Sequence, residues 1–411
     1  MTARAQPNGS KRLGTIPRLF AVAVCALLIA AGKPAPSAKT GSTPTPGAAD
    51  TVETKSSVVL LIDHGSGSVV FDKNADKPFP PASLTKMMTI AVAARELKEG
   101  RLSLDGEFPV SEHAWRTGGA PSRTSAMFAP VHSKVKVSDL FQGIMVQSAN
   151  DGAIALAEGI AGSETAFAEL MNARAAELGM KHTRFGNPTG LPHPDNVTTA
   201  RDLAVLARHI VNEYPDVYRI YAQREFTYNK IRQLNRNPLL DAGIGADGMK
   251  TGFIKEAGYN IVGSAVQGAQ RLILVIGGAP SEKDRAEEAR RLLDWGFRSF
   301  ETVHLYDAGQ TIGEAAVFGG AARTVKVASD KRVEFLAPRG NRAKLQGRVV
   351  YTGPIRAPVA AGQPIGRLLI SQADTVVQEI PVQAAESVDV GPITARAVDG
   401  ARELLLGLFR R

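Results

Sequence analysis

Three short groups of residues in this chain have types that could perform acyl transfer: Ser83-Leu84-Thr85-Lys86, Ser148-Ala149-Asn150 and Lys250-Thr251-Gly252. A serine hydroxyl is a weak nucleophile and needs a base. Lys86 stands three residues after Ser83, so one helical turn would bring its amine to the hydroxyl. That amine serves as a base only if its pKa falls, and burial or a second cation would lower it. A helix N-terminus at the same place pushes the same way. Ser148 offers a second hydroxyl, suited to relay a proton between Lys86 and a leaving amine. The Asn150 amide suits orienting Lys86 and a substrate carbonyl. Lys250 and Thr251 join a cation to a hydroxyl, a pair that binds carboxylates. Gly252 lets another backbone approach closely, as strand-like docking of a peptide requires.

Each group is common on its own. Ser133 and Lys136 repeat the first spacing, and Lys39-Thr40-Gly41 repeats the third. Polar residues ahead of an apolar helix are often caps, and Asn150 could be one. Lys250 could be a solvated turn lysine. Order and setting separate the groups from their decoys. Pro80-Pro81 precedes Ser83, and Leu84, Met87, Met88, Ala91 and Ala94 then follow at helical spacing. Ser133 to Lys136 lies in a charged stretch without that period. Asp247-Gly248 reads as a turn, with a strand starting at Lys250.

The elements that must hold these residues are legible at coarse grain. Ser57–Asp63 and Ser68–Phe71 read as a hairpin around His64-Gly65-Ser66-Gly67. A helix is expected from about Ala82. Asp151–Ala161 is almost wholly apolar, as in a buried helix. Thr165–Leu178 and Ala200–Asn212 are amphipathic, the latter capped by Thr198 or Thr199. Tyr259–Val266 and Arg271–Gly277 read as paired strands and Ala286–Phe297 as a helix. After Glu301 the pattern changes to short strands: Arg323–Ala328, Arg332–Ala337, Arg348–Thr352, Arg367–Ser371 and Thr375–Val382.

At 411 residues the chain is too long for one ordinary core. Residues 1–38 read as a secretory signal, with Lys11, Arg12 and Arg18 before an apolar run from Leu19 to Ala31. That run is short for a membrane span. The segment holds five basic residues and no acid, leaving +4 of the formal +9 for a chain starting at Lys39. The basicity is therefore largely a targeting feature and no sign of a nucleic-acid partner. Cys25, the only cysteine, lies in the same segment, so the exported chain needs no disulfide. The seven histidines show no zinc spacing, and there is no phosphate-binding loop, dinucleotide fingerprint or Gly-x-Ser-x-Gly turn. No metal or cofactor is expected. His193 and Asp195 read as a polar loop. Residues 39–55 form a Thr/Pro/Gly/Ala-rich linker, 56–300 a catalytic domain, 301–390 a β-rich domain and 391–411 an amphipathic tail. In the tail Ile393, Ala397, Ala401, Leu404, Leu405 and Leu408 make one stripe flanked by arginines. It suits an anionic membrane surface, or docking on the protein's own core.

The chain resembles the penicillin-binding protein and serine β-lactamase superfamily, and within it the serine-type D-alanyl-D-alanine carboxypeptidases. The resemblance runs from about Val58 to the C-terminus. It rests on Pro81-Ala82-Ser83-Leu84-Thr85-Lys86-Met87-Met88-Thr89, Glu225-Phe226 with Ile231 to Asn237, Asp247 to Gly252, and Ala257-Gly258-Tyr259-Asn260. It implies an α+β fold, a mixed helix and antiparallel-sheet transpeptidase-like (β-lactamase-like) domain followed by a small all-β sandwich domain. Ser83 would be the acylated nucleophile, Lys86 its base, and Ser148 and Asn150 the second motif. Lys250, Thr251 and Gly252 would form the carboxylate-binding third. The N–H groups of Ser83 and Phe253 would form an oxyanion hole, and Arg236 and Arg285 would help hold a terminal carboxylate. The implied partners are the peptidoglycan stem pentapeptide, β-lactams, and the inner-membrane surface met by the C-terminal helix. The implied location is the periplasm. A β-lactamase of the same fold and a non-catalytic cell-wall scaffold are the alternatives. Glu169-Leu170-Met171-Asn172 resembles the β-lactamase deacylation element only loosely. Two departures stand out: the second motif has Ala149 where close relatives often have glycine, and Phe253 replaces a histidine found in some relatives.

Overall fold

The computed structural model describes residues 52–339, 345–372, 375–394, 396–397 and 399–400. The signal segment, nearly all of the linker with Lys39-Thr40-Gly41, and the tail beyond residue 400 lie outside the described residues. A five-stranded antiparallel sheet organises the first domain. Its strands are β1 (Val58–Asp63), β2 (Val69–Lys73), β3 (Ala246–Ile254), β4 (Gly258–Gln267) and β5 (Gln270–Ala279), in the order β2-β1-β5-β4-β3. β1 is buried along its whole length. Strand residues alternate between faces, so a strand covered on both sides reads as a continuous apolar run, here Val58–Ile62, with the buried Asp63 at its end. Val58, Leu60 and Ile62 enter one core cluster, and Val59 and Leu61 enter another.

Helices cover the first face: α1 (Lys86–Lys98), α2 (Asn150–Ala161), α3 (Glu164–Glu177) and α4 (Ala200–Glu213). α5 (Glu282–Ser299) covers the second. The expected hairpin, the helices and the paired strands are all present, with shifted ends. α4 is capped by Thr199, whose side chain accepts from the Asp202 N–H, and α3 by Ser163 in the same way. α5 starts four residues earlier than its apolar period suggests. The Ser281 hydroxyl accepts from the Asp284 N–H and starts a charged first turn.

α5 runs straight into the second domain, with no residue between Ser299 and strand β6 (Phe300–Tyr306). β7 (Thr311–Phe318), β8 (Thr324–Ala328), β9 (Val333–Pro338), β10 (Leu345–Tyr351), β11 (Ile355–Arg356), β12 (Pro364–Gln372) and β13 (Thr375–Ala384) follow. β6 pairs with β9, and the other six make a sheet of order β10-β12-β13-β8-β7-β11. Val325, Val333, Phe335, Leu368, Ile370 and Val382 pack between the two sheets as a separate core. The fold is thus α+β with a β-sandwich behind it. Thr302 donates to Asp63 at 2.8 Å, and the Arg339 guanidinium donates to the Phe297 carbonyl at 2.8 Å, joining the domains. Near residue 393 the tail turns helical, and Asp399 accepts from the Gly319 N–H at 2.8 Å. Among the described residues no helix is long and apolar enough to cross a membrane.

Candidate active site

Ser83 lies in a single 3-10 turn, Ala82–Thr85, and α1 itself starts at Lys86. The expectation of an α-helix from Ala82 is corrected by one turn. In a 3-10 turn side chains at i and i+3 eclipse, which suits a serine–lysine contact better than an α-helix does. Lys86 Nζ stands 3.0 Å from Ser83 Oγ. Ala82, just before the nucleophile, has φ of +50°. Gly190, with φ of +77°, packs against the Ala82 carbonyl, where any Cβ would collide.

Lys86 is fully buried. Burial first, then the Arg236 cation, lowers its pKa to about 7, while Asp151 pulls weakly the other way. The ammonium donates to the Thr189 carbonyl at 2.6 Å. That carbonyl is fixed by Asn187, whose side-chain oxygen accepts from the Thr189 N–H at 3.2 Å, the Thr189 hydroxyl at 3.0 Å and the Gly190 N–H at 2.7 Å. A neutral Lys86 keeps two N–H groups and gains a lone pair, so Thr189 orients it without consuming its basicity. Asn187, Pro188, Thr189 and Gly190 form a local turn closed by the Asn187 side chain. Its contact with Lys86 spans 103 residues of chain.

Ser148 follows a π-helical segment, Gly143–Gln147, and takes φ of +67°. A serine held in the left-handed region is strained, and such strain concentrates at functional positions. Its hydroxyl is buried without a partner among the described residues, as is the Asn150 side-chain oxygen. Orphaned buried polar atoms are rare and point to a ligand or water. Asn150 is not the cap of α2. Ala149 occupies that position, and the Asn150 amide donates instead to Thr124 Oγ1 at 2.9 Å.

Lys250, Thr251 and Gly252 lie within β3, the cleft-side edge of the sheet. The expected turn at Asp247-Gly248 is a strand segment with a register shift. It is held by Arg271 and Tyr218, which both contact Asp247. Lys250 is nearly fully buried, so it is no solvated turn lysine. Its pKa is pushed well down by burial, then by Lys86, Arg236 and Arg285. Gly252 faces the nucleophile: a Cβ there would stand 3.2 Å from the Ser83 nitrogen and 3.0 Å from the Pro81 carbonyl.

Arg236 donates to Ser125 Oγ at 2.8 Å and to Gln147 Oε1 at 3.4 Å. Arg285 is buried in the first turn of α5, pairs with Glu282 at 2.9 Å and covers the Tyr259 ring at 5.8 Å. The structure sets Lys86 on Ser83, Gly252 facing Ser83, and Lys250 within electrostatic reach of Lys86, Arg236 and Arg285, while Arg236 meets Ser125, whose carbonyl accepts from the Asn150 N–H. Sequence reading missed Thr124, Ser125, Gln147, Asn187, Thr189 and Glu282. The decoy Ser133 donates to Pro130, and Lys136 ends a short strand, Lys134–Lys136. Glu169 sits exposed on α3, and Asn172 there pins Phe185 by two hydrogen bonds. Among the described residues no group of three or more His, Cys, Asp or Glu could hold a metal.

A serine with a buried, deprotonatable lysine, set beside a cationic cleft at a sheet edge, is the arrangement of an acyl-transferring serine peptidase. The D-alanyl-D-alanine carboxypeptidase family matches residues 42–281, and the C-terminal domain family of penicillin-binding protein 5 matches residues 300–390. The chain belongs to the D-alanyl-D-alanine carboxypeptidase family. It is 39% identical to D-alanyl-D-alanine carboxypeptidase DacC of Escherichia coli K12, covering 83% of this chain and 86% of that one. The structure of penicillin binding protein 5 from Haemophilus influenzae matches with a TM-score of 0.78 at 37% identity, over 83% of this chain and 99% of that one. Penicillin-Binding Protein D2 of Listeria monocytogenes in its ampicillin-bound form matches with a TM-score of 0.53 at 28% identity, over 60% and 99%.

Proposed function

We propose that the protein is a serine-type D-Ala-D-Ala carboxypeptidase that removes the terminal D-alanine of peptidoglycan stem pentapeptides through an acyl-enzyme on Ser83. The observation that carries the mechanism is Lys86, fully buried, 3.0 Å from Ser83 Oγ and with its pKa lowered to about 7. Neutral Lys86 takes the hydroxyl proton as Ser83 attacks the penultimate D-alanine carbonyl. The N–H groups of Ser83 and Phe253 receive the developing oxyanion. Ser148 relays the proton to the departing amine of D-alanine, and Asn150 holds the acyl carbonyl chain in place. The terminal carboxylate is drawn to Lys250, Thr251, Arg236 and Arg285. Water then hydrolyses the ester. β-Lactams present a similar carbonyl and carboxylate, so they acylate Ser83 as well.

The β-lactamase reading is disfavoured by Glu169, which is exposed on α3, and by Asn172, which is taken up by two hydrogen bonds to Phe185. On this reading the chain divides into a signal (1–38), linker (39–55), catalytic domain (56–300), β domain (301–390) and membrane-facing helix (391–411), and works in the periplasm against the inner membrane. Intact mass after penicillin exposure tests the mechanism. Wild type gains one β-lactam mass, and Ser83→Ala gains none and loses D-alanine release by at least about 10⁴-fold. An adduct on Ser83→Ala would refute the nucleophile. For the tail, deleting residues 391–411 should move the protein from the membrane fraction to the soluble one. Unchanged fractionation would remove the surface-binding role.

A further inference from the structure

Phe253 is a large apolar side chain that stays 51% exposed next to the nucleophile. Its ring stacks on Tyr259, with centroids 4.4 Å apart and planes at 32°. The two residues are direct cross-strand partners between β3 and β4, so their side chains share one face. Thr251, two residues before Phe253, lies on that face too. Arg285 reaches it from α5 and covers Tyr259, and its Nε is buried without a partner among the described residues. A hydroxyl, a cation and an aromatic pair, exposed at Phe253 and half-buried at Tyr259, thus stand along one face of the sheet edge. Gly252, between Thr251 and Phe253, turns to the opposite face and meets Ser83.

We propose that Phe253 and Tyr259 form an aromatic platform that reads the side chain of the leaving residue and admits extended apolar D-amino acids such as D-leucine. The inference rests on the carboxypeptidase reading. Two anchors fix the leaving residue: its carboxylate at Thr251 and Arg285, and the scissile carbonyl at the Ser83 and Phe253 N–H groups. Between them its side chain lies beside the Phe253 ring. A methyl group covers little of that ring. A branched four-carbon chain covers much more, and each methylene removed from water is worth about fourfold. The ring carries no charge and no donor, so selection acts on apolar area rather than on polarity.

The test compares kcat/KM for release of D-leucine and of D-alanine from N-acylated L-Lys-D-Ala-D-Leu and L-Lys-D-Ala-D-Ala. Phe253→Ala should lower the D-leucine to D-alanine ratio about tenfold. Phe253→Tyr should keep it, and Tyr259→Leu should lower it by a smaller factor. The mass of the penicillin adduct reports in each variant whether the nucleophile site is intact. An unchanged ratio in Phe253→Ala and Tyr259→Leu, with D-alanine still released, would overturn the platform alone. Release of neither amino acid by wild type would overturn the carboxypeptidase reading and the platform with it.

Discussion

Lys86 and Lys250 are buried at the floor of the cleft, whereas Phe253 and Glu282 stand open at its rim. The floor gains its chemistry from exclusion of water. Burial is the largest cause of the lowered pKa of both lysines, and each neighbouring cation adds to it. At the rim Arg236 is held through ordinary side-chain contacts to Ser125 and Gln147, and Glu282 accepts from the buried Arg285. A buried group is constrained by every atom around it, and a rim group by one or two partners. Reactivity therefore belongs to the floor, and substrate choice belongs to the rim.

The comparison can be broken most sharply through Arg236, which serves both regions. Its charge lowers the Lys86 pKa, so kcat/KM should rise through an acid limb near pH 7 as Lys86 loses its proton. Below that pH, protonated Lys86 is no base, and the rate should fall about tenfold per unit. Arg236→Gln should move the limb to higher pH and lower kcat/KM about 30-fold through the lost carboxylate contact. A limb that stays in place would mean the floor is electrostatically independent of the rim. The smallest effect is expected at Glu282, which is 74% exposed on its side chain and occupies Arg285 in the manner of a substrate carboxylate. Glu282→Gln should lower KM by about twofold at low salt, and the gain should vanish at high salt. A KM that does not change would show that Glu282 never competes for the arginine.

Much of the floor was legible in the sequence because its residues are close in the chain or lie in strongly patterned elements. Ser83 and Lys86 are one turn apart, and Lys250 lies in a strand whose partner, Gly258–Gln267, is buried through most of its length. Thr189 and Thr124 were not legible, since their contacts to Lys86 and Asn150 are non-local and run through a backbone carbonyl and a single hydroxyl; Asn187 acts only by fixing Thr189. Strands β6 and β7 were also missed. β6 is mostly half-buried, and β7 contains Gly313, Glu314 and two alanines, which are poor strand formers. The Asp247-Gly248 pair reads as a turn by composition, but the Arg271 and Tyr218 contacts override that preference.

The direct passage from α5 into β6 has a mechanical consequence. α5 has 18 residues, so it is a rod about 27 Å long. Arg285 sits in its first turn, and the β domain begins at its last residue. There is no flexible joint along this path, and Arg339 clamps the far end through the Phe297 and Ser299 carbonyls. The β domain is therefore a pedestal: any tilt it undergoes is delivered along the rod to the arginine at the cleft.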